Sequence, residues 1–319
     1  MGMRLVTFEF QGRNRLGAEQ DGQVVDLNRG YALLLATRGV VDFQGQADRE
    51  LPPDMLGFLD RWDQSLSRAK DVLAFTRGIR ASGGPIGQAI AQPLQAVRLR
   101  APILNPRKII CLGLNYRDHA QETKADIPTD PILFSKYATA IIGPDDPILL
   151  PAVSKEVDYE AELAFIMARR GRHISTGQAL EYVAGYTIMH DVSARDYQIR
   201  KPGGQWMSGK TFDTFAPLGP VLVTREDIPD PHVLDITCTV NGERLQSSNT
   251  KHLIFSIPDI VAYCSHIFTL EAGDVIATGT PGGVGFARKP PRFLKDGDVV
   301  IVEVQGIGQL RNPVRNDVR

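Results

Sequence analysis

Glu160 and Glu162, two residues apart in VDYEAELAFIM (157–167), stand in an otherwise apolar run with the look of a buried strand. Strand side chains alternate, so Tyr159, Ala161, Leu163 and Phe165 share one face and Asp158, Glu160 and Glu162 the other. Alternate residues on one face have Cα atoms about 6.5–7 Å apart, close enough for both carboxylates to reach one cation. A third ligand has to come from elsewhere. Asp191 is the best candidate, because the apolar stretch 183–189 ends abruptly there in His-Asp. Three carboxylates without a Cys or His pair make a hard oxygen site, suited to Mg²⁺, Mn²⁺ or Ca²⁺ rather than Zn²⁺. Taken alone, however, Glu-x-Glu on a strand is more often the wet face of an antiparallel sheet, and Asp158 is read that way.

Two further groups could act on a substrate. His119 and Glu122 in NYRDHAQE are three apart, so on a helical turn they share a face and can hydrogen-bond. A carboxylate holding an imidazole raises its basicity and fixes its tautomer, as a general base requires. Lys210 is a lone cation in QWMSGKTFDTFAPLGP. An ordinary surface helix pair and a solvated loop lysine are the competing descriptions.

The elements that must position these residues follow from patterning. Residues 1–80 read as a small N-terminal unit: strands RLVTFEF and GQVVDLN, an Asp21-Gly22 turn, then a helical spacing of Met55, Leu59, Trp62, Leu66, Ala69 and Leu73. Residues 81–100, with their Ser-Gly-Gly-Pro run, read as a linker. Residues 101–319 carry short strand-like runs punctuated by Gly, Pro and Asp, with Asn241-Gly242 as a hairpin turn and helical stretches near 176–183 and 256–268.

The 36 basic and 37 acidic residues nearly cancel, so no global field favours nucleic acid or an anionic membrane. Three cysteines without a CxxC pair fit a reducing compartment. The start lacks a secretory apolar core, Val6 stands where an acylation signal wants Ser or Thr, and no long apolar span occurs; the expectation is a cytoplasmic protein.

Seven ordered blocks, GLNYRDHAQE, DPILFSK, EVDYEAELAFIM, HDVSARDYQ, GKTFDTFAPLGP, VNGERLQSSNT and GDVIATGTPGGVG, resemble the fumarylacetoacetate hydrolase superfamily over roughly 105–315, most closely its two-domain members. The resemblance implies an α+β fold, a mixed β-sandwich roll with a small N-terminal α/β domain, and a homodimer. It places the metal, Mg²⁺ or Mn²⁺ with Ca²⁺ as a crystal substitute, on Glu160, Glu162 and Asp191. The acid–base pair falls on His119 and Glu122, the substrate-side lysine on Lys210, and substrate contacts on Gln198, Thr280 and Arg195, the last with a structural role as the alternative. Where many relatives have Lys-Pro, this chain has Lys136-Tyr137, a departure that bears on substrate identity.

The expected activity is metal-dependent C–C hydrolysis of a 2,4-dioxo acid such as an acylpyruvate. The alternative is tautomerisation, decarboxylation or isomerisation of an oxaloacetate-like acid at the same site, and a non-catalytic metal-dependent binding protein is a third reading. In each the partner is a small 2-oxo acid. The polar segment 121–130 is expected to close as a lid.

Overall fold

The strand Ala161–Met167 is buried along its whole length, on both faces. Its odd-numbered residues Leu163, Phe165 and Met167 join one apolar core, while Ala164 and Ile166 join a second. The face that carries the glutamates therefore continues into packed interior and not into water, which corrects the wet-face reading; Asp158 too is fully buried. The covering is distant in sequence: Met55, Phe58 and Leu59 from the N-terminal helices belong to the second core.

The structure, a computed structural model, describes residues 2–81 and 84–318, so Ser82 and Gly83 of the Ser-Gly-Gly-Pro run lie outside the described residues. A 12-stranded mixed sheet forms the frame. At its centre, Ala216–Thr224, Val183–His190, Ala161–Met167 and Val275–Ala277 run antiparallel in that order, and Ile109–Gly113 joins parallel to the last. The first strand, Arg4–Phe10, pairs with Ala216–Thr224 through Arg4–Val223 and Leu5–Leu222. Residues 84–100 contain a helix, Pro85–Ile90, and two short strands that pair with Gln23–Val25 and Thr7–Glu9.

A second sheet of five strands, from Glu243–Asn249 to Ile148–Leu150, packs through Ile236, Cys238 and Val302 against the first core. Its hairpin turns at Asn241-Gly242, both at positive φ, the conformation a two-residue type I′ turn requires. Sheet content of both kinds with packed helices is the α+β architecture expected. The helix Ile257–Ile267 starts at a capping box between Ser256 and Asp259. The stretch near 176–183 is a 3₁₀ helix, Thr176–Tyr182, and the single N-terminal helical pattern is split into Met55–Leu59 and Trp62–Ala81. Among the described residues no helix is long and apolar enough to cross a membrane.

Candidate active site and metal centre

Antiparallel register assembles the acids. Ala161 stands opposite His190, so Asp191, one residue past that strand's end, falls beside Glu160, whose carbonyl accepts its backbone N–H at 2.9 Å. Glu160 lies in the break between Val157–Asp158 and Ala161–Met167. Glu160, Glu162 and Asp191 each offer an oxygen within 4.8 Å of the others, and all three are buried.

Their surroundings fit a hard divalent cation. Glu162 accepts from Gly279 N at 2.8 Å through Oε2, while its Oε1 is buried with no hydrogen-bond partner among the described residues. Burial, with Asp191 and Glu160 adding to it, pushes the Glu162 carboxyl well above its usual range. Among the described residues, the Lys and Arg side chains paired with Asp158, Glu160 and Asp191 are Arg195, Lys136 and Lys210, so with Glu162 the four acids, all ionised, exceed these cations by one charge. An orphaned carboxylate oxygen beside two others is the donor set oxygen-seeking cations take.

Two lysines bracket the triad. Lys210 Nζ lies 2.7 Å from both Glu160 Oε2 and Asp191 Oδ2. Burial works against its charge, but Asp191 and Glu160 outweigh that and its pKa lies above the ordinary value. Lys136, which sequence reasoning noted only for the residue after it, lies 2.6 Å from Asp191 Oδ1 and donates to the carbonyls of Val192, Phe215 and Lys210. A cation ending the apolar run ILFS was the signal available for it.

Arg195 donates to Asp158 at 2.8 Å and to Gln198 Oε1 at 2.8 Å, and its Nη2 lies 2.7 Å from Glu160. Its guanidinium is thus held by protein partners on all three nitrogens, and it stacks over Phe286. Asp158 also accepts from Gly285 N and Phe286 N, so the residue read as solvated anchors this turn.

His119 and Glu122 share a face of the helix Arg117–Thr123, with Nδ1 and Oε2 3.5 Å apart. That is long for a hydrogen bond, and such catalytic contacts often tighten only around a ligand. Both Glu122 oxygens accept from Gly283 N at 3.0 Å. Burial opposes the carboxylate, yet His119 and this N–H outweigh it, and its pKa lies below the usual range. The glycine loop after Val275–Ala277 therefore ties the helix Arg117–Thr123 to Glu162 through Gly283 and Gly279, both at positive φ.

Of these groups His119, Glu160, Arg195, Gln198 and Lys210 line one cavity of about 250 Å³, together with Thr280. Phe134 and Trp206, ring centroids 5.8 Å apart, form part of its apolar wall. A larger open groove of about 660 Å³ lies elsewhere, beside Trp62 and Arg169, where Asp60 and Asp63 are paired with arginines.

A buried carboxylate triad bracketed by lysines, with Glu160 and His119 lining one small cavity, makes a site that can hold a metal ion. Residues 108–315 match the fumarylacetoacetate (FAA) hydrolase C-terminal family, and the chain belongs to it. It is 45% identical over 318 residues to a mitochondrial oxaloacetate tautomerase of Xenopus laevis, covering 98% of this chain and 91% of that one. A mitochondrial oxaloacetate tautomerase of Rattus norvegicus is 48% identical, over 86% of this chain and 84% of its own.

Among solved structures, a fumarylacetoacetate hydrolase from Exiguobacterium antarcticum superposes with a TM-score of 0.78 at 36% identity, covering 99% and 100% of the two chains. A maleylpyruvate hydrolase from Sphingobium, in complex with manganese(II) and pyruvate, does so at 0.73 and 28% identity, covering 98% and 99%. The Xenopus and Rattus relatives are named mitochondrial, which overturns the cytoplasmic expectation. Free buried cysteines report a reducing environment and do not say which compartment supplies it.

Proposed function

We propose that this enzyme interconverts the keto and enol forms of oxaloacetate or a similarly small 2-oxo diacid, with a divalent cation, Mg²⁺ or Mn²⁺, held by Glu160, Glu162 and Asp191. The observation that carries the reading is the cavity: at about 250 Å³ it is smaller than the roughly 300–1,000 Å³ of most ligand pockets, and His119, Glu160 and Lys210 all line it. The names of the tautomerase relatives point the same way, and favour this alternative over the C–C hydrolase that the motifs first suggest.

When bound, the cation supplies Lewis-acid polarisation of the 2-oxo group. Lys210, kept protonated by Glu160 and Asp191, donates a hydrogen bond to the oxygen on which enolate charge collects. His119, oriented by Glu122, removes a proton from C3 and returns it to that oxygen, so no water is consumed and no C–C bond breaks. Gln198, whose Oε1 is occupied by Arg195, turns its amide nitrogen to the substrate's carboxylate end.

The test is to follow the ultraviolet band of enol-oxaloacetate after dilution into buffer, with metal-stripped and Mg²⁺- or Mn²⁺-loaded protein. Metal-dependent acceleration without release of pyruvate supports the reading. Pyruvate and acetate from acetylpyruvate, with no effect on the enol band, would replace it with hydrolysis.

A further inference from the structure

Gln246 lies in the second sheet, on Glu243–Asn249, and its side chain, 1% exposed, reaches into the first. Its Oε1 accepts from Ala161 N at 2.9 Å, the amide between the two metal-site glutamates. Its Nε2 donates to Thr280 Oγ1 at 2.9 Å and to Pro281 O at 2.9 Å. The orientation of this amide is determined by its backbone partners: an N–H on one side admits only the oxygen, and a C=O on the other admits only the nitrogen. The glycine loop is pressed against the same strand, since a Cβ at Gly283 would stand 2.3 Å from Leu245 O and 3.2 Å from Gln246 Cα.

The fixed amide decides what Thr280 can do. A hydroxyl has one proton and two lone pairs, and a carboxamide nitrogen can donate but not accept. Thr280 Oγ1 spends a lone pair on Gln246, so its proton has to go elsewhere, and among the described residues no protein acceptor takes it. Thr280 lines the cavity with Lys210 and His119.

We infer that Gln246 is a positioning residue that locks the Thr280 hydroxyl as a hydrogen-bond donor into the cavity, so that the site selects a ligand presenting an acceptor, a carboxylate oxygen, at that point. This rests on the metal-site reading above and adds to it the residue that sets the polarity of the cavity wall at Thr280. A substrate with an amide N–H or an ammonium in that place meets another donor and is rejected.

The probe is oxalate, titrated calorimetrically into Mn²⁺-loaded protein, with Mn²⁺ affinity measured separately. Thr280→Val is expected to weaken oxalate about tenfold to a hundredfold, the value of a hydrogen bond to a charged acceptor, with Mn²⁺ affinity unchanged. Thr280→Ser keeps the donor and should stay within about threefold of the unaltered protein. Gln246→Met is expected to weaken oxalate when Thr280 is present and to add nothing on top of Thr280→Val, because it acts through that hydroxyl. Gln246→Glu, which still accepts from Ala161 N, replaces it if Gln246→Met does not fold; its added charge weakens oxalate with or without Thr280, and the expectation is a larger loss when the Thr280 hydroxyl is present.

Equal losses from the Gln246 change with and without the Thr280 hydroxyl would overturn the inference, as would unaltered oxalate affinity in Thr280→Val. Failure of oxalate to bind the unaltered Mn²⁺-loaded protein, or failure of Mn²⁺ itself to bind, would instead refute the metal-site reading and this inference with it.

Discussion

Replacing Glu162 with glutamine should make the metal-free protein more stable and greatly weaken its hold on a metal ion. Gln keeps an oxygen for Gly279 N and puts an NH₂ where Oε1 now lies buried without a partner, beside the Glu160 and Asp191 carboxylates that can accept from it. Relieving one unsatisfied buried polar group is worth roughly 1–3 kcal/mol. At about 2–4 °C per kcal/mol this is a readable rise in melting temperature in EDTA. A thousandfold excess of cation over Kd should stabilise the unaltered protein by about 4.1 kcal/mol, and the variant, short of a ligand, by far less.

The two proteins should therefore exchange rank between EDTA and saturating Mn²⁺ in thermal melts. The pH dependence has a definite sign. The folded pKa of Glu162 is raised above its unfolded value, so the metal-free folded state holds the extra proton. Its contribution to stability is fully present below the unfolded carboxylate pKa and is lost as pH rises toward the folded one; Glu162→Gln should remove that slope. A variant that melts lower in EDTA, or gains as much from Mn²⁺ as the unaltered protein, would refute the reasoning.

Other outcomes follow from the same geometry. Asp158→Asn leaves Arg195 buried beside fewer negative charges and should cost about 3–5 kcal/mol in denaturant unfolding, the usual effect of breaking a buried pair. Glu122→Gln should lower kcat about tenfold to a hundredfold with little change in KM, because it orients the base and does not bind substrate; a change in KM alone would count against that role. EDTA treatment should abolish tautomerisation and added Mg²⁺ or Mn²⁺ restore it, as read by the enol band. Hydrogen exchange in residues 121–130 should slow when oxalate and Mn²⁺ bind if that segment closes over the cavity, and equal exchange with and without them would remove the lid.

What was legible in the sequence was local. Asn241-Gly242 encodes its own turn, Ser256 and Asp259 their own cap, and the one-turn spacing of His119 and Glu122 their shared face. What escaped depended on chain from far away. Asp158 looked solvated because period-two alternation says which face a residue occupies and not what covers that face. Asp158 is covered by the turn at Gly285 and Phe286, and the second core that takes up Ala164 and Ile166 includes Met55 and Phe58, about a hundred positions earlier. Lys136 and Gln246 were passed over for the same reason. Each is a single polar residue in an unremarkable run, and its meaning lies in partners 55 and 85 residues distant along the chain, Asp191 and Ala161.

Burial also explains why the site needs so many charges. A lone buried carboxylate would take up a proton sooner than stay ionised, so three acids in one place require cations close at hand. Arg195 balances Asp158 and Glu160, and Lys136 and Lys210 stand on the two oxygens of Asp191, yet Glu162 is left without a cation of its own. In the metal-free protein a proton answers that charge, and on the function proposed above a divalent ion takes the proton's place. Once it is bound the cluster carries one positive charge in excess, in a cavity walled by Phe134 and Trp206 where such a charge is poorly screened. The imbalance that admits the cation thus becomes, with its sign reversed, the attraction that holds an anionic acid, and neutralising Lys136 or Lys210 should weaken oxalate more than it weakens Mn²⁺.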